Sequence, residues 1–331
     1  MATAIHEQAI ACTIRDLTVA YHLQSGEYDA LRNIDLDLQE GKITAVIGES
    51  GSGKSTLALA MLNAVSTPGR IKAGSVTYPN VGNVVQFSGE RLRKLRGKHI
   101  GMVFQASQNS LNPLKRIGSQ LLDLGRSHGM KNPKILLQEA KALCELMSLD
   151  ADRVLTSYQH ELSGGMKQRI GIIFALVLKP QILLLDEPTT ALDVLSQSAV
   201  LQILRDIQKE RQLTTLLITH DLGVVAELSD RVVVLYAGQK VEEADTAVLL
   251  QNPKHPYTKA LIGAIPRLTG DPRLAKPLSV LPPTLKSIPV TGCVFRDRCT
   301  ERMEVCEKEP PLREVGSSHT YLCHLEEISR D

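Results

Sequence analysis

A glycine-rich loop has the residue types and the spacing needed to bind the phosphates of a nucleotide. The loop is Gly48-Glu-Ser-Gly-Ser-Gly53-Lys54-Ser55, between the apolar run Ile43–Ile47 and the helical run Thr56–Leu62. Glycines let several backbone N–H groups face one anion, which the positive end of the following helix also faces. The lysine would reach the β- and γ-phosphates, and the next serine hydroxyl would bind Mg²⁺. The pattern predicts a nucleotide site more strongly than a plain turn between a strand and a helix.

Two carboxylates follow a second apolar run and have the chemistry that phosphoryl transfer needs. Ile182–Leu185 is followed directly by Asp186 and Glu187. Mg²⁺ prefers oxygen ligands and keeps several waters, which suits Asp186. Glu187 is placed to orient or deprotonate the water that attacks the γ-phosphate. Adjacent acids can also cap a turn, but the phosphate loop in the same chain favours the magnesium and catalytic interpretation.

A histidine and a serine mark two further candidate ligand contacts. His220 follows the apolar run Leu213–Thr219, and ligand sites of open α/β sheets collect at the carboxyl ends of strands. A lone histidine is more often structural, but this position favours a functional role. Ser163 is predicted to cap an apolar helix. The glycines that follow it, Gly164 and Gly165, offer backbone amides to a phosphate, although a plain helix start has the same pattern.

The six cysteines are unevenly placed. Cys12 and Cys144 lie singly in apolar patterns and are predicted to be core residues, whereas four others crowd into the tail: Cys293, Cys299, Cys306 and Cys323. Clustered cysteines in a cytosolic chain indicate metal before disulfides. Four thiolates can hold tetrahedral zinc or an iron–sulfur cluster, and His324 could substitute as a ligand. Reduced thiols that hold nothing are the remaining alternative.

Composition narrows the possible partners. The chain has 331 residues, 43% apolar and 22% charged, with a formal net charge of +2. These values are typical of a soluble globular protein, and with few aromatic residues they predict no nucleic-acid partner. The basic run Arg91–Lys98 is better interpreted as a solvated helix face. The sequence shows no signal peptide and no apolar run long enough to span a membrane, which predicts a soluble protein made in the cytoplasm.

The elements that position these residues follow from hydrophobic periodicity. Residues 12–40 alternate apolar and polar positions, which predicts antiparallel strands, and Ile100–Phe104 predicts a buried strand that ends at Gln105. Residues 115–160 have helical spacing, and the run 231–243 is typical of a hairpin. Tyr21 closes the first strand, where it could stack on an adenine ring or be an ordinary strand-end aromatic.

Together these motifs resemble the ATP-binding cassette (ABC) ATPases over residues 12–245. The similar segments are the Walker A loop Gly48–Ser55, the Q-loop Gln105, the signature Leu162–Met166, the Walker B strand Ile182–Glu187, the D-loop Ala191–Asp193 and the switch histidine His220. The resemblance implies an α/β fold with a RecA-like parallel-sheet core, an antiparallel β subdomain and an α-helical signature subdomain at about 106–178. It predicts a nucleotide-binding domain at 1–245 and a small Pro-rich and Cys-rich extension at 246–331. The prolines after Pro266 predict an extended linker or a segment that wraps over the domain.

The resemblance also implies a role for each site residue. The catalytic residues would be Glu187, His220, Gln105 and Lys54. ATP would be bound by Tyr21 (Tyr28 is a weaker candidate), Gly48, Glu49, Ser50, Gly51, Ser52, Gly53, Lys54, Ser55, Thr56, Gln105, Asp186, Ser163, Gly164, Gly165 and Asp193. Mg²⁺ would be held by Ser55, Gln105 and Asp186. Two such subunits would meet head to tail, so that each ATP lies between one phosphate loop and the partner's signature.

The tail is similar to the oligopeptide/dipeptide and nickel importer ATPases. The similar segments are Ser110–Pro113, the run Asn252–Leu261 with its His-Pro-Tyr-Thr, and the cysteine spacing, whereas Ser107–Asn109 is less typical. In that subfamily the tail binds a 4Fe–4S cluster. The resemblance therefore favours such a cluster on Cys293, Cys299, Cys306 and Cys323, with zinc as the alternative.

The resemblance implies the ATP-hydrolysing subunit of an importer for dipeptides, oligopeptides or related solutes. Its partners would be two transmembrane permease subunits, an extracytoplasmic substrate-binding protein, and a second related ATPase or a second copy of this chain. It would lie peripherally on the cytoplasmic face of the cell membrane. One alternative is a soluble ABC ATPase in translation or DNA repair. A regulatory protein with a relic site is disfavoured because Glu187 and His220 are present.

Overall fold

A computed structural model describes residues 9–24, 26–105, 110–189, 192–264, 289, 291–316 and 318–325. The predicted linker after Pro266 lies outside these ranges, as do residues 107–109 and Ala191. The chain divides into two compact units. The first unit consists of Met1–Cys12, Leu38–Ile43 and Tyr78–Thr219, and the second of Thr13–Asp37, Thr44–Thr77 and His220–Asp331. In the described ranges, no helix is both long enough and apolar enough to cross a membrane.

Strands and helices alternate along much of the chain. The strands are β1 (Ile10–Leu23), β2 (Gly26–Gln39), β3 (Ile43–Ile47), β4 (Gly69–Tyr78), β5 (Gly82–Asn83), β6 (Ile100–Val103), β7 (Ile182–Asp186), β8 (Thr214–Ile218), β9 (Arg231–Tyr236), β10 (Gln239–Asp245), β11 (Leu312–Val315) and β12 (His319–Leu322). The α-helices are α1 (Lys54–Met61), α2 (Gly89–Leu95), α3 (Ile117–Ser127), α4 (Lys134–Leu146), α5 (Ala151–Thr156), α6 (Gly164–Leu176), α7 (Val194–Arg211), α8 (Leu222–Leu228), α9 (Thr246–Gln251) and α10 (Pro256–Gly263).

In the first unit, three parallel strands lie in the order β8-β7-β6. Leu185 of β7 lies beside Val103 of β6, and Asp186 lies beside Ile218 of β8. Every residue of β7 and β8 is buried, as expected for parallel strands covered on both faces. Helix α6 packs on β6 and on α4, and α3 packs on α4 and α5. The predicted helical character of residues 115–160 is confirmed.

In the second unit, β1 pairs antiparallel with β4, and the register shifts between Arg15 and Val19. A second set of strands lies in the order β3-β9-β10-β12-β11. Strand β3 is parallel to β9, while the β9–β10, β10–β12 and β11–β12 pairs are antiparallel. The two strands β9 and β10 form the predicted hairpin across Ala237 and Gly238, both of which have positive φ.

The tail contributes to the core of the second unit. Tyr236 from β9 and Tyr257 from α10 pack in one buried cluster with Cys293, Phe295 and Cys306. The same cluster contains Ala45 and Ile47 of β3, so the strand that leads into the phosphate loop shares its core with the cysteine-bearing segment. The two cysteines predicted to be core residues, Cys12 and Cys144, are buried as well.

Candidate nucleotide site

The phosphate loop is shaped by glycines at positions where a side chain has no room. Gly48, Gly51 and Gly53 have φ values of 150°, 81° and 103°. A Cβ atom on Gly48 would lie 2.1 Å from the carbonyl oxygen of Leu235 in β9, which is a severe clash. The loop therefore runs close against β9 and turns directly into α1 at Lys54. This arrangement presents amide groups and a helix start to an anion.

Lys54 is buried against its own loop. Its side chain is 8% exposed, and Nζ donates hydrogen bonds to the carbonyl oxygens of Gly48 at 2.7 Å and Glu49 at 2.8 Å. The ammonium group therefore lies inside the turn of the loop, where it can meet the terminal phosphates of a nucleotide. Ser55, predicted to bind Mg²⁺, lies in the first turn of the same helix and is partly buried.

Glu49 is held by residues from far along the chain, which sequence reasoning missed. Arg298 forms a two-pronged ion pair with it, from Nη1 to Oε2 at 2.9 Å and from Nη2 to Oε1 at 3.0 Å. The Glu49 backbone N–H donates to the hydroxyl of Tyr257 at 2.8 Å. The Tyr236 hydroxyl accepts a further hydrogen bond from Arg298 at 3.3 Å. No motif marks Arg298, and the His-Pro-Tyr-Thr run marks Tyr257 only as a subfamily feature.

The two predicted acids stand where β7 ends in the first unit. Asp186 is 4% exposed. Glu187 has a φ of 49°, and its N–H donates to the carbonyl oxygen of Ile218 at 2.9 Å. Gln105 Nε2 donates to Glu187 Oε2 at 3.3 Å. A positive φ outside glycine is uncommon and costs energy, and such strain concentrates at functional sites. The structure thus brings together two of the predicted catalytic residues.

His220 is exposed and stands just before α8 in the second unit. The neighbouring Asp221 caps that helix, because its Oδ1 accepts the N–H groups of Gly223 at 2.8 Å and Val224 at 3.3 Å. The cap fixes where the helix begins and leaves His220 in the connection that precedes it. The exposed position of His220 at the end of this connection is compatible with the predicted ligand contact, which stays a prediction.

Ser163 caps α6 as the sequence predicts. Its Oγ accepts the N–H of Met166 at 3.3 Å, and Ser163 itself is exposed. The amide groups of the Gly164-Gly165 pair therefore lie at an accessible helix start, where an anion is favoured. Asp193 caps α7 in the same way, accepting the N–H of Ser196 at 3.0 Å.

Tyr21 lies opposite Gly69 in the β1–β4 pair. Its ring rests against that glycine, because a Cβ atom on Gly69 would come within 2.6 Å of a ring carbon. The ring is partly exposed, and stacking on adenine stays a prediction. Tyr28 on β2 is also partly buried, and burial raises the pKa of its hydroxyl.

The four tail cysteines line one small cavity, together with His255, Pro256, Phe295, Met303 and His324. The backbone N–H of Cys293 donates to the carbonyl oxygen of Cys306 at 3.0 Å, which closes the loop between them. His324 Nε2 lies 3.0 Å from the carbonyl oxygen of Lys308, so that ring nitrogen is already engaged. Among the residues that the structure describes, no group of three or more His, Cys, Asp or Glu is arranged to hold a single metal ion.

The cavity favours protonated thiols. Burial raises the pKa of Cys299 to about 11, and the neighbouring cysteines add to the rise. The pKa values of Cys293 and Cys323 are raised by burial first and by Cys306 as well. Thiolates in this setting need a positively charged group to stabilise them, and binding such a group would release their protons.

Comparisons with known protein families and sequences show which family this chain belongs to. A model of the ABC transporter family matches residues 31–190, and a model of the oligopeptide/dipeptide transporter C-terminal region matches 241–306. The chain is 41% identical over 325 residues to a protein of Caldanaerobacter subterraneus subsp. tengcongensis, with 97% of this chain and 99% of that protein covered. This chain belongs to the ATP-binding proteins of the ABC transporter family.

The particular relatives carry peptide-transport names. The Caldanaerobacter protein is the dipeptide transport ATP-binding protein DppD. The oligopeptide transport ATP-binding protein OppD of Salmonella typhimurium is 36% identical, covering 94% of this chain and 92% of that one. Among solved structures, a dimeric post-hydrolysis state of the ATP-binding cassette MJ0796 bound to ADP and Pi matches with a TM-score of 0.62 at 26% identity, covering 71% of this chain and 98% of that one. The chain therefore has the α/β fold of the ABC ATPases.

Proposed function

We propose that this chain is the ATP-hydrolysing subunit of a multi-subunit importer for dipeptides, oligopeptides or related solutes. The observation that carries the proposal is the match of residues 241–306 to the oligopeptide/dipeptide transporter C-terminal region in a chain that also matches the ABC transporter family. Relatives named for dipeptide and oligopeptide transport support it. Those names give no support to the alternative, a soluble ABC ATPase in translation or DNA repair.

The proposed hydrolysis relies on positioning and charge. Lys54, buried inside its loop, would bind the terminal phosphates. Mg²⁺, held by Ser55, Gln105 and Asp186, would neutralise phosphate charge when bound; a buried carboxylate at the end of a strand fits its preference for oxygen ligands. Glu187 would take the proton of the attacking water, and its hydrogen bond from Gln105 would orient the carboxylate.

A complete site would need two chains. The accessible helix start at Ser163, followed by Gly164 and Gly165, would face the γ-phosphate held by the partner's loop, because helix starts attract anions. The similar solved cassette is described as dimeric, which supports this arrangement. The partner would be a second related ATPase or another copy of this chain.

The importer would also need membrane subunits and a source of cargo. We infer two transmembrane permease subunits, an extracytoplasmic substrate-binding protein, and a peripheral position on the cytoplasmic face of the membrane. Two apolar side chains near the start of the helical region support a docking surface, since Phe104 is 45% exposed and Leu114 is 86% exposed.

Co-purification from detergent-solubilised membranes of the native cell tests the transport function. We expect a tagged chain to bring down two multi-span subunits, a second ATPase and a substrate-binding protein, and peptide-loaded binding protein to stimulate ATP hydrolysis. A Phe104→Ser, Leu114→Ser double variant should lose the membrane subunits and keep ATP binding. Recovery of ribosomes or DNA-repair factors without membrane subunits would contradict the importer.

We further propose that the tail cysteines hold a 4Fe–4S cluster. The four thiols line one cavity, which supports a shared ligand. Among the described residues, no group of three or more His, Cys, Asp or Glu is arranged around a single metal ion, which gives no support to zinc. When bound, such a cluster would supply a one-electron redox centre and a rigid cross-link.

Protein purified without oxygen tests the cluster. We expect iron and acid-labile sulfide in equal amounts, lost in Cys299→Ser and kept in Cys144→Ser, whose cysteine lies on α4. Stoichiometric zinc, or neither iron nor sulfide, would contradict the proposal. Because the cluster is assayed as bound metal, its absence would leave the importer function standing.

A further inference from the structure

We propose that Arg298 and Tyr257 are positioning residues of the phosphate loop, so that the cysteine-bearing tail sets how tightly the loop binds ATP. The inference rests on the proposed ATP site and extends it to a segment that no nucleotide motif covers. Its structural basis is the contact of both side chains with Glu49, the second residue of the loop.

One stretch of loop backbone is held from several directions. Lys54 Nζ bonds the carbonyl oxygens of Gly48 and Glu49, and the Tyr257 hydroxyl accepts the N–H of Glu49. Arg298 forms a bidentate ion pair with the carboxylate of Glu49 through both terminal nitrogens of its guanidinium. The Arg298 side chain is 8% exposed and that of Glu49 is 15% exposed. A bidentate pair shielded from water in this way is stronger and more directional than a surface ion pair.

The tail backbone determines where the guanidinium lies. Arg298 ends the short 3₁₀ turn Arg296–Arg298. The turn is tied at both ends, because the N–H of Arg296 donates to Cys293 at 3.2 Å and the N–H of Cys299 donates to Arg296 at 3.3 Å. The same turn therefore places two cavity thiols and the loop-binding arginine, and a change at the cavity would move all three.

Aromatic packing anchors this turn beside the loop. The ring of Phe295 packs edge-on against Tyr236, with centroids 5.1 Å apart, and lies 5.4 Å from the ring of Tyr257. Both tyrosine rings are buried. The two hydroxyl groups consequently have fixed positions, and they reach Arg298 and the Glu49 amide without reordering.

Charge explains why the pair matters for ATP. A carboxylate in a loop that binds a polyphosphate repels the ligand, and the repulsion is strong where water is scarce. Arg298 neutralises Glu49 at this place. Removing the arginine should leave an uncompensated negative charge beside the phosphates, whereas removing both charges together should restore binding.

A double-mutant cycle measured by calorimetric binding of MgATP to the full chain tests the proposal. Arg298→Ala should raise the dissociation constant for ATP about tenfold, the size of one lost charge-assisted hydrogen bond. Glu49→Gln removes the charge but keeps a side-chain hydrogen-bond acceptor for Arg298, so it should weaken binding less than Arg298→Ala does. The double variant Glu49→Gln with Arg298→Ala should recover to within about threefold of the original chain's affinity. Arg302→Ala is the matched control, because Arg302 lies in the same tail and pairs with Asp297 instead.

The role of Tyr257 is tested with two tyrosine-to-phenylalanine substitutions, one at Tyr257 and one at a control position. Tyr257→Phe keeps the ring and deletes the acceptor of the Glu49 amide, and about a fivefold weaker affinity is expected. Tyr321→Phe, in a buried tail strand, is its control and should leave affinity unchanged.

Several outcomes would overturn the inference. They are unchanged affinity in Arg298→Ala, an equal loss in Arg302→Ala, or no recovery in the double variant. A merely structural role would lower the unfolding temperature without nucleotide and would not be rescued by Glu49→Gln. Should Arg298→Ala fail to fold, Arg298→Gln replaces it, because it also removes the charge, and an affinity as tight as that of the original chain would overturn the inference. If the original chain binds ATP and never hydrolyses it, the hydrolytic function fails while the positioning roles stand.

Discussion

The phosphate loop and the acidic end of β7 are both predicted to act on ATP, yet they are held in different ways. Lys54 is buried and bonded to its own loop, and Glu49 is gripped by Arg298 and Tyr257. Glu187 is only partly buried, and Gln105 reaches it over 3.3 Å. The loop is preorganised around a buried lysine, whereas the acid is partly exposed at the end of β7.

This difference agrees with the chemical role expected of each region, which is phosphate binding for the loop and proton transfer for the acid. A group that stabilises phosphate charge is most effective when it needs no reorganisation as the charge develops. A general base must meet a water molecule and exchange a proton with it, which a partly exposed carboxylate at a strand end can do. We therefore expect substitutions in the phosphate loop to lower ATP affinity and the stability of the fold. Substitution of the acid should lower only the rate of ATP turnover.

The largest effect is expected at the acid. Glu187→Gln should lower ATP turnover by roughly 10²- to 10⁴-fold, the usual contribution of a general base, and leave ATP affinity unchanged. Phosphate release and calorimetric binding measure the two quantities. Glu145→Gln, at an exposed position on α4, is the control. Near-normal turnover in Glu187→Gln would remove this residue from the base role.

The next effect is on stability at the loop. Gly48→Ala should lower the free energy of unfolding by about 3 kcal/mol, because the new Cβ clashes with Leu235 and strains a positive φ. Urea denaturation measures it. Gly51→Ala also has a positive φ but meets no atom within 4 Å, so a loss of about 1 kcal/mol is expected there. Equal losses would show that the close approach to β9 is unimportant.

A smaller effect is expected on affinity. Lys54→Ala should weaken ATP binding by about 30-fold, the size of a hydrogen bond to a charged group, and should lower the unfolding temperature because the carbonyl oxygens of Gly48 and Glu49 lose their buried donor. Lys72→Ala serves as control, since Lys72 pairs with Glu27 and Asp29 on the same unit's surface. Tight binding by Lys54→Ala would contradict the preorganised loop.

The smallest effect is expected from removing the hydrogen bond that Gln105 donates to Glu187. Gln105→Ala should reduce turnover by about three- to tenfold, because Glu187 loses one neutral hydrogen-bond partner. Gln202→Ala, which removes a contact with Asp206 on α7, is the matched control. A loss as large as that of Glu187→Gln would show that the acid is held as firmly as the loop.

Local patterns in the sequence were enough to predict most of the strands and helices and part of the nucleotide site. The period-two pattern predicted β1 and β2, the hairpin pattern predicted β9 and β10, and the loop spacing predicted the turn into α1 at Lys54. The nearness of Gln105 and Glu187 followed from family resemblance. The pairing of Glu49 with Arg298 could not be predicted, because it joins residues 249 positions apart and ion pairs leave no periodic pattern. The positive φ of Glu187 also has no sequence signal, since tertiary contacts impose it.

The shared core of β3 and the tail has a consequence for how the protein is made. Glu49 leaves the ribosome long before Arg298, which follows it by 249 residues. At roughly 5–20 residues per second, synthesis of that interval takes roughly 10 to 50 s. During this time the nascent phosphate loop lacks both its arginine and the aromatic cluster beneath it. The nucleotide site of the second unit is therefore completed late, when the tail docks.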